Sequence, residues 1–142
     1  MIPDSIKLAL SGQKGAVERS SDDLPKVPEY LDVLGLSGDQ QVREFFQNYN
    51  LSGVLSNRSH ELLDLCSPTS QIIEATDFGR DTYGISENFV CLTSGEGEGF
   101  ILYSKVDGKV YDVAVNQLDE LEAGKIKARW QSFVELIEWY LS

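Results

Sequence analysis

At 142 residues, with a hydrophobic share of 42% that includes two Trp, six Tyr and six Phe, the chain has the material for one ordinary core, which excludes global disorder. It carries 23 acidic residues against 12 basic ones, a formal net charge of −11. A surface this negative repels phosphate backbones and anionic lipid, so neither nucleic acid nor membrane is expected as a partner.

In the first thirty residues, Ile6, Leu8 and Leu10 read either as a strand or as a short helix stopped near Gly12. Ser20, Ser21, Asp22 and Asp23, followed by Pro25 and Pro28, mark a loop, because proline removes a donor and restricts its predecessor. Val42, Phe45, Phe46 and Tyr49 then fall on one stripe and predict a helix over 40–49. Ser37 or Asp39 is its cap, and Asn50 its left-handed stop. A shorter helix is expected over 60–65, before Pro68. Residues 69–76 read as an edge strand, and 77–86 as a polar loop punctuated by Gly79 and Gly84.

The stretch 89–115 organises the rest. Its three apolar runs, 89–93, 100–106 and 109–115, are rich in Val, Ile, Phe and Tyr and read as strands. Asp107-Gly108 suits a type I′ turn between the last two, and the segment 95–99 is long enough to turn the first run back onto the second. The expected architecture is α+β: a central antiparallel meander with helices packed against one face. Residues 116–124 read as a helical turn or a loop. Ser132 and Glu135 form a capping-box pattern, after which Phe133, Leu136, Ile137 and Tyr140 give a helical stripe that should lie on the sheet.

Signs of chemistry are few. His60 has no second positioned group and no metal-ligand spacing around it, so it reads as a surface or helix-terminal histidine. The glycines at 95, 97 and 99 alternate with Glu96 and Glu98 and lead into a strand, the opposite of a phosphate cradle. Carboxylate pairs for a hydrolase can be assembled from Asp77, Asp81, Glu96 and Glu98, but no spacing selects one pair. Cys66 and Cys91 show neither a disulfide framework nor a metal clasp, and Cys91 reads as a small buried hydrophobe. No cofactor or metal is expected. With no basic leader before a long apolar stretch, the chain reads as cytoplasmic.

The charge is uneven. Residues 61–100 hold eight acids against Arg80 alone, seven of the eleven net negative charges, which points to a directional acidic surface. Tyr83, in the same region, reads as either core or an interface anchor, and so does Tyr111.

The order of features resembles the SUKH superfamily, the domain shared by fungal cell-wall-synthesis regulators and many bacterial immunity proteins. The resemblance rests on the helix at 40–50, the strand pair around Ser94–Gly99, the run Gly108-Lys109-Val110-Tyr111, and the closing Ser132-Phe133-Val134-Glu135-Leu136-Ile137. It covers about the last hundred residues. The resemblance implies a single non-enzymatic α+β domain over 1–142 that binds proteins. Bacterial members neutralise a cognate toxin, often a nuclease or deaminase; the fungal relatives imply instead a regulatory scaffold that recruits cellular proteins. An acidic protein suits the basic cleft of a toxin that acts on nucleic acid. Local charge and loop placement single out Asp77, Asp81, Tyr83, Glu87, Glu96 and Glu98 as the partner contacts.

Overall fold

The computed structural model describes residues 2–95 and 98–142. The fold is α+β. Among these residues six α-helices, α1 (Asp4–Ser11), α2 (Lys26–Val33), α3 (Gln40–Asn48), α4 (Gln71–Tyr83), α5 (Leu118–Glu122) and α6 (Phe133–Leu141), surround a sheet of β1 (Phe89–Cys91), β2 (Gly99–Ser104) and β3 (Val110–Ala114). The sheet is an antiparallel meander in the order β1-β2-β3, with Val90 opposite Tyr103 and Leu102 opposite Tyr111.

Helices cover both faces of this sheet rather than one. Phe100 and Cys91 point to the side where Tyr83 and Gly79 of α4 lie, while Tyr103 on the other side meets Phe133 of α6 and bonds Asp39 at the start of α3. That is why β2 reads as a continuous apolar run: Phe100 to Tyr103 are all buried, whichever way they point. The Thr76 hydroxyl of α4 accepts the Cys91 N–H at 3.0 Å and so satisfies the outer edge of β1.

Four of the expected elements differ. The segment with Pro25 and Pro28 is a helix, α2, with Pro25 as its N-cap. Both prolines sit where helical N–H groups have no acceptor inside the helix, so the missing donors cost nothing there. The expected helix over 60–65 is an irregular segment whose backbone turns outward to neighbours: Leu63 N–H donates to Leu92 O at 2.9 Å. The expected strand at 69–76 and loop at 77–86 are replaced by α4. Its buried residues Ile72, Ala75, Thr76 and Gly79 follow helical spacing, and Gly84 at φ 68° ends it with an N–H to Arg80 O. Between the alternatives for the first residues, the helix is correct, and Ile6 and Leu10 are buried on α1. It packs against α6.

The expected caps of α3 and α6 are present. Asp39 caps α3 by accepting the Val42 N–H at 3.1 Å, and Ser132 caps α6 by accepting from Glu135 N at 3.1 Å. Glu135 reaches back to Gln131 N–H instead of to Ser132, one residue beyond the expected reciprocal bond. Asn50 is not left-handed: at φ −116° its side chain accepts from Ser52 N and starts a 3₁₀ turn, Leu51–Gly53. The β2–β3 connection is longer than a two-residue turn. It runs through residues 105–109, with Gly108 N–H donating to Ser104 O and Gly108 alone at positive φ.

One buried polar cluster ties the first part of the chain to this frame. The Arg19 guanidinium makes two bonds to Asp64, at 2.8 and 3.0 Å, and donates to the carbonyls of Phe46 and Tyr49. Asp64 also accepts the backbone N–H groups of Leu51, Cys66 and Ser67. No helix among the described residues is long and apolar enough to cross a membrane.

Candidate protein-docking face

The buried stripe of α4 has a mirror image on its outer side. Glu74, Asp77, Phe78 and Asp81 recur at the same helical spacing, and all four are exposed. The α4 base, Arg80, faces away toward Phe89 O. The outer face is therefore purely acidic around an aromatic ring.

Phe78 is 45% exposed and Tyr83 36%. The two rings meet edge-on at 6.1 Å, and Tyr83 in turn packs edge-on against buried Phe100 at 5.4 Å. Of its two readings, core or surface, Tyr83 takes an intermediate place: one edge rests on the sheet and the rest is open. Tyr111 rests edge-on against Phe89, and its hydroxyl donates to Asp107. It lies away from α4.

Two depressions flank the β1–β2 connection, and Ser94 lines both. On the α4 side, a groove of about 320 Å³ is lined by Leu63, Ala75, Phe78, Glu74 and Gly95. On the β3 side, a depression of about 420 Å³ is lined by His60, Glu61, Thr93, Glu98 and Asp112. Asp112 is paired with Arg129, whose guanidinium lies 4.5 Å from the Trp130 ring and 4.8 Å from that of Trp139. His60 is half-buried beside Trp139, and among the described residues its Nδ1 has no hydrogen-bond partner.

The residues expected to contact a partner are thus only partly assembled. Asp77, Asp81 and Tyr83 share α4, although they were expected on a loop. Glu98 stands across the connection, immediately before β2. Glu87 lies at the other end of the sheet, where Asn88 O accepts the Lys105 N–H. The six residues of β2 separate it from Glu98 by roughly 20 Å. There it acts on a local basic pair: Lys105 is lowered by burial and by Arg80, with Glu87 opposing. Glu96 lies outside the described residues. Glu61 lines the β3-side depression with Glu98, while Glu74 and Phe78 join the α4 face without having been singled out. The helical spacing of Glu74, Asp77, Phe78 and Asp81 is the signal that finds them, once α4 is recognised as a helix.

The mid-chain acids also include one that is not available to a partner. Asp64 is fully buried, and burial pushes its pKa up, but the Arg19 hydrogen bonds and the amides around it outweigh this and hold it below the usual carboxylate value. Asp107 is likewise lowered, its partial burial outweighed by bonds from Lys109 N–H and the Tyr111 hydroxyl. Both carboxylates are stabilised as anions, the opposite of what a general acid needs. Among the described residues, no three His, Cys, Asp or Glu side chains are arranged to hold a metal ion. No protein-family model, curated protein or solved structure matches the chain.

Proposed function

We propose that this chain is a non-enzymatic protein-binding domain of the immunity type. It neutralises a basic toxin, of the kind that acts on nucleic acid, by laying the acidic face of α4 and the β1–β2 end of the sheet over the toxin's cationic cleft. The observation that carries the reading is the exposed stripe Glu74, Asp77, Asp81 around Phe78, with the one base of α4 turned away. Opposite charge accelerates encounter, and an immobilised aromatic supplies the desolvated centre that stable complexes need. The order of elements, which resembles that of SUKH domains, supports the same class of function.

The test is co-production with the product of each neighbouring reading frame, scored by rescue of growth and by association kinetics. Association should slow steeply as salt rises. Charge reversal at Asp77, Asp81 and Glu98 should slow association more than it speeds dissociation, whereas Glu87→Lys should change little. Rates indifferent to salt and to all of these changes would refute the acidic-face mechanism.

A further inference from the structure

Charge alone does not account for the groove beside α4. Its floor, Leu63, Ala75 and Phe78, is apolar, whereas a surface built only to attract cations has no use for such a floor. Phe78 is also held in place. Its ring abuts Tyr83, and Gly95 comes so close that a Cβ there would sit 2.8 Å from the ring. An exposed aromatic fixed before binding loses little entropy on contact, which is the property of an interface anchor. Glu74 stands in the groove's lining, and Asp77 and Asp81 continue the same exposed acidic face of the helix.

We propose that this groove receives one aliphatic side chain from a cationic segment of the partner. The apolar side chain lies against Phe78, and flanking Arg or Lys residues face Glu74 and Asp77. The inference rests on the acidic-face reading above and adds a sequence preference to it: basic residues alone are not enough, and an aliphatic residue must stand among them.

Two labelled peptides of equal length and charge test this, one alternating Arg with Leu and the other Arg with Gly, titrated into the full chain by fluorescence anisotropy. The leucine peptide is expected to bind about tenfold more tightly, the effect of about 1.4 kcal/mol from partial burial of aliphatic surface. Phe78→Ala, its fold checked by thermal melting, should abolish that preference and leave the salt dependence of both peptides unchanged. Asp77→Asn with Asp81→Asn should weaken both peptides alike. Equal binding of the two peptides to the native chain, weakened by salt, would overturn the groove and leave the acidic face standing. Binding of neither peptide responding to salt would overturn both.

Discussion

Arg19 and Asp64 close a bidentate ion pair with side chains only 1% and 0% exposed, and that pair gathers three separate backbone segments. The guanidinium serves the end of α3 through Phe46 and Tyr49, while the carboxylate serves the amides of Leu51, Cys66 and Ser67. Removing one partner strands the other in the interior. Asp64→Ala should therefore cost about 3–5 kcal/mol, far more than a surface pair is worth. Urea denaturation measures it, and a loss below about 1 kcal/mol would contradict the role assigned here.

The same pair sets the acid limb of stability. Asp64 titrates below the ordinary aspartate value of 3.8 in the folded state, so the unfolded chain takes up its proton first. The stabilisation is complete above the unfolded pKa, erodes as the pH falls through 3.8, and is gone below the folded pKa. Asp64→Asn should flatten this part of the stability curve, and a limb of unchanged slope would show that other groups carry it.

Two glycines of α4 should respond to alanine for different reasons. At Gly79 a Cβ would lie 2.9 Å from Ile85 Cδ1 and 3.0 Å from Cys91 Sγ. Alanine favours a helix over glycine by roughly 1 kcal/mol, but overpacking costs about 1–3 kcal/mol, so the net effect should be destabilising. Gly84 has open space but φ 68°, and Gly84→Ala should cost about 1 kcal/mol through backbone conformation alone. Melting of both variants decides, and a stabilised Gly79→Ala would mean that α4 can move off β1.

Both thiols should be silent in the native protein. Burial raises Cys66 to about 11 and Cys91 to about 12, so little thiolate exists at neutral pH. A thiol reagent should react at a rate set by opening of the structure, rising with urea. Rapid labelling of either cysteine without denaturant would contradict this packing.

Ser132→Ala removes the acceptor of the Glu135 N–H and should cost about 1 kcal/mol. An unchanged melting curve would indicate that packing of Phe133 and Leu136 alone holds the start of α6.

Where sequence reading succeeded, one local pattern decided the outcome. Val42, Phe45 and Phe46 form a bulky stripe, the strand runs are bounded by glycines, and Asp39 and Ser132 sit at cap positions. Where it failed, tertiary context overruled propensity. Adjacent Ile72 and Ile73 suggest a strand, and the inner face of α4 is completed by Ala75, Thr76 and Gly79, residues too small to announce an apolar stripe. Because α4 was missed, Phe78 and Glu74 were missed with it. Arg19 and Asp64 look like surface charges, since nothing local in the sequence reveals a bond between residues so far apart. Glu87 lies at the end of the sheet away from Glu98, a separation that a charge count along the chain does not carry because it has no direction in space.

The packing of α1 against α6 has a consequence for synthesis. Ile6 and Leu10, buried on α1, leave the ribosome long before α6 exists to pack against that helix. During that interval the nascent chain carries an uncovered oily strip, and closure must await α6. Production yield should therefore depend on chaperones that shield emerging chains, even though the finished domain needs no such help.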